Sequence, residues 1–350
     1  MTLEQAVTIS KTDLVRWVAA LTARAEVIGP TRGPGGDVVL ATISSPEQIL
    51  WQFGNSLQPP KQFLLPQTEP LARIRTKGGQ LYPEPAEDGR RQILFNVRSC
   101  DVKALAYLRR MHAQDPPDAA YLRRADDTTL VCLTCSEPCR LGFCVCCDAG
   151  PFLREGFDLQ LTPVGGRMFV EVGSDKGRAL LDGSDSLFRR ATAEEVSQRL
   201  ELEVAARRRF GPVTCHFASA MRRVSTGRVA PELWEAIGDW CLECGGCNFV
   251  CPTCYCFSVK DRRTDGCWLR CRMWDSCQYA AFTLEASGHN PRRQKQDRVR
   301  RRFFHKVSAQ YYQRDGDVGC VGCGRCITVC MGTTDMPAVV EAIRRGEWHG

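Results

Sequence analysis

Eight cysteines fall into two runs of similar pitch, Cys241-Leu-Glu-Cys244-Gly-Gly-Cys247-Asn-Phe-Val-Cys251-Pro252 and Cys320, Cys323, Cys326 and Cys330. A C-x2-C-x2-C-x3-C-P run is the ligand pattern of bacterial-type iron-sulfur clusters: three thiolates wrap one cubane and the fourth reaches across to a second. Two matched runs therefore predict two clusters with exchanged ligands. One takes Cys241, Cys244, Cys247 and Cys330, and the other takes Cys320, Cys323, Cys326 and Cys251. Zinc ribbons also use C-x2-C steps, and cysteines can be small buried hydrophobes. Four thiolates within eleven residues, however, exceed what one zinc knuckle uses. Disulfides belong to oxidising compartments, and Met1-Thr-Leu-Glu-Gln-Ala6 has neither a basic n-region nor an apolar h-region. The expected setting is the cytoplasm, with reduced thiols devoted to metal.

Thirteen of the 21 cysteines lie outside these runs. Cys100 ends an expected strand at a helix start, where backbone N–H groups stabilise thiolates. Downstream stands Cys132-Leu-Thr-Cys135-Ser-Glu-Pro-Cys139-Arg-Leu-Gly-Phe-Cys144-Val-Cys146-Cys147, with enough thiols for a third cluster, or for one zinc site among buried thiols. Cys254, Cys256, Cys267, Cys271 and Cys277 form another group between the runs, open to either structural burial or metal ligation.

The elements that must hold these residues are read from periodicity. Leu14, Trp17, Val18 and Leu21 predict an amphipathic helix over residues 13–26. Strands are predicted at Val38–Ile43, Ile93–Val97, Thr129–Leu133, Leu159–Thr162 and Arg167–Val172. Asp101 is expected to cap a helix from Val102 to about His112, and Thr192-x-x-Glu195 is a capping box opening a helix to Arg208. A further helix with Leu233, Trp234, Ile237 and Trp240 leads into the first run. The fold class is thus α+β: a mixed α/β domain over residues 1–223, then a dicluster ferredoxin-like domain over 224–350. The 68 residues between the runs are much longer than a minimal spacer, and the insertion 257–319 must decorate the ferredoxin or build an interface.

Composition excludes several classes. The chain has 350 residues, 43% of them hydrophobic, enough for two cores, and no stretch is long and apolar enough to span a bilayer. The net charge of +7 is concentrated in residues 291–306, with eight Lys/Arg against one Asp. This block reads as a solvated or partner-facing helix in preference to a nucleic-acid site, since no recognition motif accompanies it. Cations beside a cluster would also raise its potential. No nucleotide loop, nucleophile elbow or acid-base constellation is present, which argues against independent catalysis.

Several segments together resemble a known family, the iron-sulfur beta subunit of soluble sulfhydrogenases and NAD(P)-linked nickel-iron hydrogenases, related to the iron-sulfur subunit of anaerobic sulfite reductase. They are Pro59-Pro-Lys-Gln-Phe-Leu-Leu-Pro-Gln-Thr-Glu69, Val97-Arg-Ser-Cys100-Asp101, Cys135-Ser-Glu-Pro138, Glu171-Val-Gly-Ser174, Cys251-Pro-Thr-Cys-Tyr-Cys-Phe257, Trp274-Asp-Ser-Cys277, Gly288-His-Asn290, Arg302-Phe-Phe-His-Lys306 and Gly319-Cys-Val-Gly-Cys-Gly-Arg-Cys326. The resemblance implies an electron relay between catalytic hydrogenase or sulfite reductase subunits and a flavin-bearing, NAD(P)-binding subunit, with no nucleic acid and no membrane insertion. It also implies a third 4Fe-4S cluster on Cys100, Cys135, Cys144 and Cys146, with Cys132, Cys139 and Cys147 as substitutes or spectators. The chain departs from the family pattern at Met331, where proline is usual, and in a longer loop from Glu137 to Cys144 with the extra Cys139. Alternatives from other classes are a zinc-stabilised nucleic-acid-binding protein and an oxidoreductase component carrying its own flavin.

Overall fold

The computed structural model describes residues 6–86, 89–211, 213–264 and 266–349. Its first half is built on an eight-stranded sheet. The chain opens with β1 (Val7–Ser10) and α1 (Lys11–Thr22), then β2 (Glu26–Arg32), β3 (Val38–Thr42), β4 (Thr68–Lys77), β5 (Gln80–Pro85) and β6 (Gln92–Arg98). There follow α2 (Ser99–His112), α3 (Ala119–Asp126), β7 (Thr128–Leu133), β8 (Leu159–Val164), β9 (Arg167–Val172), α4 (Asp175–Leu181), β10 (Phe188–Arg190) and α5 (Ala193–Arg209). The strand order is β10-β1-β9-β8-β7-β6-β2-β3, with β2, β6, β7 and β8 parallel and the outer pairs antiparallel. The parallel centre buries β6 along its whole length, including the polar Gln92, Asn96 and Arg98 beside Ile93, Leu94, Phe95 and Val97.

The local signals account for most boundaries. Ser10 caps α1 by accepting from the Asp13 N–H, and Leu14, Trp17, Val18 and Leu21 form its buried stripe. The helix stops at Thr22, earlier than periodicity suggests, because β2 begins at Glu26. The Thr192/Glu195 capping box opens α5. One expectation is corrected at α2: the helix starts at Ser99, so Asp101 lies in its first turn rather than at the cap. Its carboxylate is engaged elsewhere, by Arg325.

The second half is largely helical: α6 (Phe217–Ser225), α7 (Pro231–Trp240), α8 (Gly246–Phe249), α9 (Lys295–Val307), α10 (Ala309–Asp315), α11 (Arg325–Val329) and α12 (Met336–Arg345). Leu233, Trp234 and Ile237 of α7, Val299, Phe303 and Val307 of α9 and Val339, Val340 and Ile343 of α12 share one core with Ala220 and Val224 of α6. The boundary expected between residues 223 and 224 falls inside α6, and the same core takes in Cys100, Ala104 and Phe143 from the first half.

The insertion carries a hairpin, β11 (Phe257–Thr264) and β12 (Cys267–Trp274), which periodicity did not predict. It joins β4 and β5 in a four-stranded antiparallel sheet of order β11-β12-β4-β5. Arg272 stands opposite Glu69 across the β12/β4 ladder, its Nε donating to Glu69 Oε1 at 2.6 Å with both side chains buried. The insertion is therefore tied to the first half of the chain by backbone pairing and by a buried ion pair.

Candidate metal centres

Three cysteine-lined cavities lie beneath the loops. The first is bounded by Cys241, Cys244, Cys247 and Cys330, with Gln278, Val329 and Thr334 between them. Cys251, Cys320, Cys323 and Cys326 bound the second, with Arg302, Lys306, Phe143 and Met336. Each of these two draws three thiols from one run and the fourth from the other. The third is lined by Cys100, Cys135, Cys139 and Cys144, and shares Cys323 with the second as a wall.

The third cavity differs in membership from the family-implied set. Cys100, Cys135 and Cys144 come together, Cys139 joins them, and Cys146 stays outside. Residues 144–147 form one 3-10 turn, and at about three residues per turn Cys146 points well away from Cys144. Cys139 enters because its carbonyl accepts from the Gly142 N–H at 2.9 Å, folding the extra loop back over the cavity. Cys147 contacts Cys320, and Cys132 lies in β7 with its sulfur 3.6 Å from Ser99 Oγ.

The loop between the second and third cavities requires two glycines. Gly322 and Gly324 adopt φ of +60° and +79°, and a Cβ there would lie 2.5 Å from the Phe143 carbonyl and 2.4 Å from that of Leu141. The 320–326 loop can thus lie directly on the 141–144 loop.

Charge tests whether the cavities suit an anionic cluster. Arg302 and Lys306 of α9 and Lys61 of the Pro59–Glu69 segment are buried. Among the described residues none of the three meets a carboxylate; their hydrogen bonds go to the cysteine loops, and Lys61 also lies over the Trp274 ring. Arg302 Nη2 donates to the Cys247 carbonyl at 3.5 Å and Nη1 approaches Cys254 Sγ at 3.8 Å, while its buried Nε has no hydrogen-bond partner among the described residues. Lys306 Nζ donates to Thr253 Oγ1 at 2.7 Å, and Lys61 Nζ to the carbonyls of Cys254 and Asn248 at 2.8 and 3.2 Å. Burial alone would lower the Arg302 pKa, yet the surrounding Cys247, Cys254, Cys251 and Cys326 hold it above its ordinary value. Three buried cations without carboxylates call for resident negative charge, which thiolate-ligated clusters supply. Burial likewise pushes the Cys100, Cys144 and Cys326 thiols well up, so a cation is needed to deprotonate them. Among the described residues no three His, Cys, Asp or Glu side chains are arranged to hold a single metal ion. The cysteines line the three cavities instead.

The basic block thus has two faces. Arg298, Arg302 and Lys306, at a four-residue pitch, are buried in one row, whereas Arg300 is exposed. The expectation of a solvated helix is corrected for the buried row, and the pitch itself was the signal available in the sequence. Lys61, Asn248, Arg325 and Cys139 were not singled out as site residues, and only Cys139 was legible, as the extra cysteine of a lengthened loop.

Residues 240–334 match the family model of the 4Fe-4S dicluster domain, so the chain carries such a domain and binds 4Fe-4S clusters. Over 310 residues, covering 87% of this chain and 88% of the relative, it is 29% identical to sulfhydrogenase 2 subunit beta of Pyrococcus furiosus. The resemblance to sulfhydrogenase beta subunits is borne out across both halves of the chain. No solved structure matches it. Among the described residues no helix is long and apolar enough to cross a membrane.

Proposed function

We propose that this chain is the electron-transfer subunit of a cytoplasmic, multi-subunit oxidoreductase of the sulfhydrogenase type, relaying electrons between a nickel-iron catalytic subunit and one that binds flavin and NAD(P). The ligand sets are Cys241, Cys244, Cys247 and Cys330; Cys320, Cys323, Cys326 and Cys251; and Cys100, Cys135, Cys139 and Cys144. The observation that carries this reading is the succession of the cavities. The second and third share Cys323, and Arg302 lines the second while contacting the Cys247 carbonyl beside the first. Cubanes in such a row pass single electrons by proximity, without an acid or base. The row ends near the surface at Cys244, an exposed cysteine, with Met331, 86% exposed, at the rim. Thiolate ligation, burial and loop N–H groups would set each potential.

Iron, acid-labile sulfide and zinc are to be measured per chain on protein purified without oxygen. About twelve irons with equal sulfide are expected for three cubanes, and about eight would confine them to the dicluster domain. Zinc without sulfide would overturn the reading. Cys247→Ser and Cys326→Ser should each lower iron and sulfide by about four and interrupt coupled turnover between the partners.

A further inference from the structure

Cys256 and Cys277 line none of the three cavities. They stand at the foot of the β11–β12 hairpin, where Phe257 pairs with Trp274 and the Asp275 N–H donates to the Cys256 carbonyl at 2.9 Å. That closure brings the two side chains to one amide, with Asn248 Nδ2 4.0 Å from Cys256 Sγ and 3.1 Å from Cys277 Sγ. Asn248 connects this pair to the first cavity. Its Nδ2 donates to Cys277 Sγ at 3.1 Å, and its Oδ1 lies 3.4 Å from Cys247 Sγ. Gln278 Nε2 makes a second amide contact with Cys277 Sγ, at 3.6 Å, and Gln278 also lines the first cavity. Arg302 Nη1 contacts Asn248 Oδ1 from the other side at 3.4 Å. Two amide donors converging on one sulfur favour its thiolate, the form released when a disulfide opens.

We infer that Cys256 and Cys277 are a redox-active dithiol that exchanges electrons with the cluster held by Cys241, Cys244, Cys247 and Cys330, an inference that rests on the function proposed above. In the oxidising direction the Cys277 thiolate and the Cys256 thiol form one S–S bond as the remaining S–H bond breaks. One proton leaves to solvent, and the two electrons would go one at a time to a 4Fe-4S cluster held by Cys241, Cys244, Cys247 and Cys330 and from there onward along the row. Reduction of the disulfide reverses each step. The pair gives a row of one-electron carriers a place to hold two electrons together.

The test uses the full chain, purified without oxygen and poised with dithionite or with thionine. Each sample is quenched in acid with an alkylating agent and mapped by mass spectrometry beside its iron and sulfide content. In the reduced sample both thiols should be alkylated. In the oxidised sample they should be recovered as one linked peptide pair, lighter by two hydrogens, with iron and sulfide unchanged. Cys277→Ser should abolish the link while keeping iron, sulfide and the electron paramagnetic resonance signal of the first cluster, and Cys256→Ser should do the same. Equal alkylation in both states with clusters intact would overturn the dithiol and leave the electron-relay reading standing. Loss of iron in Cys277→Ser would make that residue a ligand and equally overturn it. Wild-type protein without iron or sulfide would overturn both readings together.

Discussion

The Asp101 carboxylate accepts two hydrogen bonds from the Arg325 guanidinium, at 2.6 and 3.0 Å, with both side chains almost fully buried. Asp101 follows Cys100, and Arg325 stands between Cys323 and Cys326, so one ion pair ties a wall of the third cavity to the loop of the second. Arg325 Nε also donates to the Ser56 carbonyl at 2.7 Å. Removing one partner of a buried pair leaves an uncompensated charge and costs roughly 3–5 kcal/mol. Asp101→Asn should therefore destabilise the anaerobic protein by that much in denaturant titrations and loosen the second and third sites together. Unchanged stability with full iron content would show that the pair does not couple the two halves.

The third cavity makes a claim that separates two neighbouring cysteines. Cys139 lines it and Cys146 does not. Cys139→Ser should lose about four irons per chain, and Cys146→Ser should keep its full complement. Iron and sulfide analysis decides this, and the reverse pattern would return the assignment to the family-implied set.

Arg302 reports on the electrostatics. A cluster gains negative charge on reduction, and a buried guanidinium beside it favours the reduced state. Arg302→Met should therefore make the potential of the neighbouring cluster more negative, on the order of 100 mV for a unit charge several ångströms away in a medium of intermediate dielectric. A redox titration followed by electron paramagnetic resonance measures the shift. A potential that stays put, or rises, would mean that solvent or another group already screens the guanidinium.

His305 gives a pH dependence of definite sign. Burial, with Lys306, Arg301 and Arg314 close by, lowers its pKa from 6.5 to about 2, and its Nε2 lies 3.1 Å from the Tyr255 hydroxyl. The unfolded chain binds a proton that the folded chain refuses, so this contribution to stability is complete above pH 6.5 and is lost as pH falls towards 2. His305→Gln should flatten the acid side of the stability profile below about pH 6.5, by at most about 1.4 kcal/mol per pH unit. Denaturation midpoints of the two proteins across that range provide the measurement, and parallel profiles would mean that His305 accepts its proton in the fold.

Apart from the exchange of fourth thiols between the two runs, what was legible in the residue order alone was local. Three cysteines within seven residues can reach only one loop-sized cage, so the triplets at 241–247 and 320–326 followed from spacing, and the pseudo-symmetry of the runs predicted which fourth thiol each cavity borrows. The stripe of α1 and the capping box of α5 were equally legible, because they depend on residues three or four apart. Long-range packing settled much of the rest: Arg298, Arg302 and Lys306 of the basic block turn inward, and Asp101 serves Arg325 instead of capping a helix. Packing also assigns the insertion hairpin to a sheet begun at β4 and brings Lys61 to carbonyls on the cysteine loops. These relationships join residues as much as 224 positions apart. Periodicity carries no information at that separation. Which side chains meet there depends on how two sheets and a helical core pack, and burial then obliges each charge to find a partner.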